Sequence, residues 1–333
     1  MRTTPSFRIA RGLLAALLTL VFLAACGGGG GGGSDGGGQE PPDPPSPSDA
    51  QYQRTVTVDG REHSYFLYVP AALVDDADLP LVLSLPGGGD TAVTHEQFIQ
   101  LRAKAASAGF AVLTPNGFQT TWNAGSCCVP STTFAIDHVA VIEAMLDDAG
   151  SLIDVDPTRV FALGHSNGGM MTYRLACELS DRIAAIASNA AVMMDRNLDT
   201  GVQTYTCDPG RPVPVLAIFG LADRCTPYEG GVSAGAAGGT RPPASETIAF
   251  WRQNNGCSVL TPTRQTNGAA TCTNYGLLCR QGADVQVCTI EGAGHIWPGR
   301  NLNPAGATCG GTASTDLNAN DHIWAFFAAH PMR

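Results

Sequence analysis

The chain has 333 residues and a formal net charge of −10, with no basic patch interleaved with aromatic side chains. That balance argues against nucleic acid as a partner. The stretch from residue 51 onward is long enough for one large α/β domain with a substantial core.

The N-terminal residues do not read as part of a fold. Arg2, Arg8 and Arg11 precede an apolar segment over 13–25, too short to span a bilayer comfortably and followed by small residues. Residues 1–25 are therefore expected to be an export signal, with a short membrane anchor as the alternative. The junction Leu23-Ala24-Ala25-Cys26-Gly27 resembles a bacterial lipobox. That resemblance implies lipidation of Cys26, contact with a membrane only through that lipid, and a place in the cell envelope or outside the cell. An ordinary signal peptide cleaved nearby is the competing reading. Over 26–50 a glycine run gives way to Pro41-Pro42-Asp43-Pro44-Pro45-Ser46-Pro47. Neither half can bury apolar surface, so a disordered tether is expected, followed by a single catalytic domain over 51–333.

Within that body, strand-like runs occur at 54–58, 64–69, 79–85, 111–114, 160–163, 183–191, 213–219 and 285–290. Helical periodicity falls between them. Residues 94–108 place Phe98, Leu101 and Ala105 on one face, and 135–146 do the same with Ile136, Val139, Ile142 and Leu146. Residues 316–330 carry Ile323, Phe326 and Phe327. Two hairpin-like strands followed by strands alternating with helices predict an α/β fold. Its central sheet should be mostly parallel, of about eight strands, with helices on both faces.

Setting Cys26 aside leaves ten cysteines, an even set that suits disulfides in an oxidising compartment. Cys272 and Cys288 would face each other if 270–289 form a hairpin, and Cys257 with Cys279 and Cys177 with Cys207 are further pairings. Adjacent Cys127 and Cys128 are expected to have different partners, because a vicinal bridge strains the peptide. No C-x-x-C or H-E-x-x-H occurs, which argues against a zinc site.

The most informative stretch is Val160-Phe161-Ala162-Leu163-Gly164-His165-Ser166-Asn167-Gly168-Gly169, with Met170 to Ala176 continuing as a helix. A strand meeting a helix through G-x-S-x-G holds a serine in a strained turn with its hydroxyl exposed and the helix N-terminus open. The bland alternative is a Gly-rich turn. A serine hydroxyl needs a base. His295 lies in Gly292-Ala293-Gly294-His295-Ile296-Trp297-Pro298-Gly299, an exposed-loop pattern just after the last strand. Asp223 follows the 213–219 strand through Gly220-Leu221-Ala222 and is placed to orient that imidazole, although a turn or cap aspartate reads the same way. The order Ser166, Asp223, His295 is that of the α/β-hydrolase arrangement. Backbone donors for an oxyanion are expected from Asn167 and from the Pro86-Gly87-Gly88-Gly89 loop, Gly88 first and Gly89 second.

The set Arg61…Tyr65-Phe66-Leu67-Tyr68-Val69-Pro70, Trp122-Asn123-Ala124-Gly125, Gly164-His165-Ser166-Asn167-Gly168-Gly169, Gly220-Leu221-Ala222-Asp223 and Gly294-His295-Ile296-Trp297-Pro298-Gly299 resembles the polyhydroxybutyrate depolymerase and feruloyl esterase-like family. The resemblance runs over nearly all of the chain after the tether. It implies an α/β-hydrolase fold and a secreted carboxylic-ester hydrolase with no cofactor, its triad at Ser166, Asp223 and His295. The substrate would be a feruloyl-type ester of plant polysaccharide or a 3-hydroxybutyrate ester, and aromatic Trp122 and Trp297 are candidates to line the acyl pocket, or else core residues. One departure is Pro86, where relatives usually carry the histidine of a His-Gly pair. Proline has no N–H to donate, and on that ground a surface-anchored binding lipoprotein on a catalytically lost hydrolase fold is the alternative.

Overall fold

A computed structural model describes residues 48–258, 262–276 and 278–333. The expected export signal, Cys26 and nearly all of the expected tether lie outside the described residues. The body opens with β1 (Ala50–Val58) and β2 (Arg61–Val69), an antiparallel hairpin. β1 begins four residues before the expected strand. Its alternation places Tyr52, Val56 and Val58 against the core and Gln51 and Gln53 in solvent, so it reads as polar until its pairing is known. Asp49 joins the body as well, accepting hydrogen bonds from Tyr68 Oη at 3.0 Å and Ala71 N at 2.9 Å.

Next come β3 (Leu79–Leu85), α1 (Ala92–Ile99), α2 (Leu101–Ala108), β4 (Ala111–Pro115), α3 (His138–Gly150), β5 (Val155–His165), α4 (Asn167–Glu178), β6 (Ala185–Asn189) and β7 (Val215–Gly220). The short pair β8 (Gly231–Val232) and β9 (Thr240–Arg241) precedes α5 (Ala244–Asn254), β10 (Thr263–Asn267), β11 (Ala270–Asn274), β12 (Val285–Ile290), α6 (Gly306–Cys309) and α7 (Ala319–Ala328). The helix expected over 94–108 is two helices, broken where Gln100 takes a left-handed conformation at φ 53°.

The main sheet has ten strands rather than eight, ordered β1-β2-β4-β3-β5-β6-β7-β12-β11-β10. Its middle, β4-β3-β5-β6-β7-β12, is parallel throughout, and each flank ends in antiparallel strands. The two extra strands include β10, whose residues are all exposed and so carry no apolar alternation.

Parallel strands β3, β4, β6 and β7 are buried along their whole length because both faces are covered. On β7, Val215, Ala217 and Phe219 enter one core with Val141 and Met145 of α3, Leu175 of α4 and Trp251 of α5. Leu216 and Ile218 enter the other with Ile99 of α1, Leu101 of α2 and Phe327 of α7. Among the described residues no helix is long and apolar enough to cross a membrane.

The ten body cysteines form five disulfides. Cys177–Cys207, Cys257–Cys279 and Cys272–Cys288 follow the sequence reading, the last pair facing across the β11–β12 register. Cys225 joins Cys309. With those eight paired among themselves, Cys127 and Cys128 bond to each other, which corrects the expectation of separate partners.

Candidate active site

The C-terminal ends of the parallel strands carry the loops that build the site, as open α/β sheets generally do. β5 ends at His165, and Ser166 turns the chain into α4 with φ 54° and ψ −122°. A side chain rarely occupies that region, and neighbouring glycines make the turn sterically feasible. A Cβ on Gly164 would sit 2.4 Å from the Gly168 carbonyl carbon, and one on Gly168 would sit 2.2 Å from Leu85 O. The Ser166 backbone is pinned by its own N–H donating to Asn189 O at 2.9 Å, and its side chain does not cap the helix. The hydroxyl is thus left to face open space.

His295 follows β12, and Asp223 follows β7. His295 Nδ1 and Asp223 Oδ2 are 2.6 Å apart, both side chains nearly sealed from solvent. The other carboxylate oxygen, Oδ1, accepts from Cys225 N at 2.7 Å and Thr226 N at 3.0 Å, which fixes the plane of the acid. The carboxylate can therefore hold the proton on His295 Nδ1 and leave Nε2 as the acceptor. Ser166 and His295 border the same two cavities; among the described residues no hydrogen bond joins them. Such contacts are commonly loose before substrate binds.

Two neighbours steady the imidazole. Asn189 Nδ2 donates to Ile296 O at 2.7 Å and also meets His165 Nδ1 at 2.8 Å, tying the His295 loop to the end of β6. The His165 ring lies 4.7 Å from that of His295. Burial, and then the charges of His295 and His95, hold the His165 pKa well below its ordinary value. It stays neutral and does not oppose an imidazolium at His295. The sequence reading left His165 to packing, and this contact refines that. Asn189, a residue with no motif around it, was missed.

The glycine loop after β3 lies against the start of α4, with a Cβ on Gly88 falling 3.5 Å from Asn167 Cβ. Neither the Gly88 N–H nor the Asn167 N–H has a hydrogen-bond partner among the described residues, whereas Gly89 N donates to Thr120 O at 2.8 Å. The second choice, Gly89, is thereby withdrawn. Trp122 clamps the two parts together. Its N–H donates to Asn167 Oδ1 at 2.7 Å, its carbonyl accepts from Asn167 Nδ2 at 3.2 Å, and its indole donates to Pro86 O at 2.9 Å. Pro86 therefore serves through its carbonyl, and its missing N–H is not called on.

Trp122 and Trp297 do not line either cavity, which corrects the pocket reading. Both are wholly buried. Each is instead a strut, because a buried indole must place its N–H on an acceptor. Trp297 Nε1 donates to Asn320 Oδ1 at 2.9 Å, and Asn320 Nδ2 in turn donates to Ile99 O at 2.8 Å, anchoring the His295 loop to α7 and α1.

The cavities flank Ser166. One of about 690 Å³ is walled by Phe98, Asp90, Thr94 and the segment Asn301 to Ala305. Burial raises the Asp90 pKa, opposed by the Thr94 hydroxyl donating to it at 3.2 Å. The other, about 380 Å³, is walled by Met170, Val129, Cys128 and Arg241. Of these wall residues the sequence marked Phe98 as core, Met170 as part of the helix after the elbow and Cys128 as a disulfide cysteine; the others carried no signal of their own.

Two further histidines make the site's surroundings acid-sensitive. Burial pushes His95 and His138 from 6.5 down to about 3, His138 being further lowered by His63 and Arg174. His95 contacts Ser84 Oγ at 3.1 Å, and His138 Nδ1 accepts from Asn123 N at 3.0 Å beside Trp122. The folded protein holds both neutral while the unfolded chain protonates them near 6.5. Their stabilisation is present above that pH and is lost as pH falls toward 3, by up to about 1.4 kcal/mol per pH unit for each. Thermal melts should give a Tm that is flat above pH 7 and falls below pH 6. A Tm unchanged between pH 7 and 4.5 would contradict this.

No family model matches the chain. Over 277 residues it is 31% identical to NocK of Nocardia uniformis subsp. tsuyamanensis, a protein named as an esterase, and the match covers 78% of this chain and 77% of that one. Feruloyl esterase B of Piromyces equi is 32% identical over 232 residues, 68% of this chain; the matched region spans only 41% of the fungal protein. Among solved structures, the acetyl xylan esterase from Aspergillus awamori superposes with a TM-score of 0.60 at 16% identity, covering 84% of this chain and 99% of that one. An S-formylglutathione hydrolase from Agrobacterium tumefaciens gives 0.52 at 13% identity, covering 85% and 95%. At such identities the structural likeness is one of fold.

Proposed function

The chain belongs to the feruloyl esterase-like family of α/β-hydrolases and is a carboxylic-ester hydrolase, and from that premise we propose that Ser166, His295 and Asp223 cleave feruloyl-type esters through an acyl-enzyme. The observation that carries the mechanism is the 2.6 Å contact between His295 Nδ1 and Asp223 Oδ2 beside a serine held at positive φ. Ser166 Oγ attacks the ester carbonyl carbon while His295 Nε2 takes its proton. The carbonyl oxygen, now an anion, accepts from the free N–H groups of Gly88 and Asn167. Collapse expels the alcohol, which leaves with the proton from His295. Water then gives its proton to the same nitrogen, attacks the acyl carbon and releases the acid, and the proton returns to Ser166.

The named activity of the Piromyces relative supports a hydroxycinnamoyl acid. The five disulfides support export to an oxidising compartment. Residues 1–25 as signal, lipidated Cys26 and the tether complete that picture, with the single catalytic domain starting near Asp49. The test is a side-by-side product assay on methyl ferulate, acetylated xylan and 3-hydroxybutyrate oligomers. Release of ferulate with kcat/KM above the other two is expected. Turnover of the oligomers alone would move the enzyme to the polyester side of the resemblance, and turnover of none would leave a binding lipoprotein.

A further inference from the structure

Arg241 is a charged side chain in the wrong place for a structural residue. It is 5% exposed and borders the smaller cavity beside Ser166. Among the described residues its Nε has no hydrogen-bond partner, and the one hydrogen bond of its guanidinium is a long contact of Nη2 with Cys127 Sγ at 3.9 Å. Among the described residues no carboxylate comes within ion-pair distance of it. Asp199, the acid whose field reaches it, is bonded instead to Thr240 N and Thr240 Oγ1. A buried cation without acceptors is costly, and a guanidinium presents a rigid fork of donors suited to a carboxylate. The rest of that cavity is largely apolar, with Met170, Val129 and Ala236. Across Ser166 the larger cavity carries the carboxyl group of Asp90 and no Arg or Lys. The two sides of the nucleophile therefore differ in sign.

We propose that Arg241 reads the far end of the acyl group, so that beside feruloyl-type esters the enzyme takes apolar acyl chains ending in a carboxylate in preference to neutral chains of the same length, held with that end on the guanidinium and the alcohol half on the Asp90 side. The phenolic oxygen of a hydroxycinnamoyl group is a weaker, neutral acceptor for the same donors. The inference rests on the esterase reading of Ser166 and names a substrate class for it.

The experiment compares monomethyl succinate, adipate and suberate with methyl alkanoates of matched length, using full-length protein. At the chain length that spans the cavity, the charged ester should have a kcat/KM about 10–100-fold above its neutral match, the span of a charge-assisted hydrogen bond. In Arg241→Met that ratio should fall to about 1 or below, and Arg241→Lys should keep part of it. A wild-type ratio of 1 or less at every length overturns the proposal without any variant, and so does a high ratio that Arg241→Met leaves unchanged. If the neutral esters and methyl ferulate are hydrolysed in a Ser166-dependent way with no preference for charge, only the Arg241 assignment fails. If none of these esters is hydrolysed, the esterase reading of Ser166 fails with it.

Discussion

Asp223→Asn should lower kcat for ester hydrolysis about 10⁴-fold while leaving the protein folded, the size of loss seen when a triad acid becomes an amide. Oδ1 of Asp223 accepts from two backbone N–H groups, Cys225 and Thr226. An asparagine must keep its oxygen there, which turns its Nδ2 toward His295. An N–H then faces His295 Nδ1, so that nitrogen must accept and the ring proton moves to Nε2. The imidazole is left with no lone pair for the Ser166 proton. The same two N–H groups still find an acceptor, so Tm should shift by only a few degrees. Steady-state hydrolysis of p-nitrophenyl acetate with parallel thermal melts checks this, and activity within tenfold of wild type would remove Asp223 from the proton path.

Gly168→Ala should damage activity by a different route. The added methyl would fall 2.2 Å from Leu85 O and 2.4 Å from Pro86 O, backbone atoms that cannot swing aside. α4 must then move away from the glycine loop, separating the Asn167 and Gly88 N–H groups that are meant to share one oxygen. Loss of one such donor costs about 10²–10³-fold in turnover, and overpacking adds about 1–3 kcal/mol of destabilisation. Gly150→Ala is the control, because a Cβ there meets nothing within 4 Å and its φ is not in the left-handed region. A Gly168→Ala protein with wild-type kcat and Tm would show that the elbow and the loop are not in register as described.

The parts of this molecule that the sequence made legible are those where one local pattern carries the physics. β3 and β12 were read to the residue: β3 is buried along its whole length, and β12 carries buried Val285, Val287, Cys288 and Ile290 with only Gln286 and Thr289 half-buried. The elbow at Ser166 was legible because only small residues permit that turn. Where the structure is decided by distant partners, the reading failed. β10 is held by β11 alone and all its residues are exposed. Gln100 breaks a periodic helix through its backbone conformation, which leaves no mark on hydropathy. α5 was overlooked although Ala244, Thr247, Ile248 and Trp251 recur at helical spacing behind Pro242-Pro243, a signal that was present. Aromatic character left the tryptophans open between pocket and core, because the acceptors for their N–H groups, Pro86 O and Asn320 Oδ1, lie 36 and 23 residues away. Arg241 had no motif, since what marks it is the acceptors it lacks.

The central claim is that Ser166 is a nucleophile activated by His295, and covalent labelling with a fluorophosphonate probe tests it most directly. Wild-type protein should gain the mass of one adduct, mapped to the peptide carrying Ser166, with labelling strongly slowed in His295→Ala and abolished in Ser166→Ala. Equal labelling of wild type and Ser166→Ala, or no labelling of folded wild type, would contradict the account.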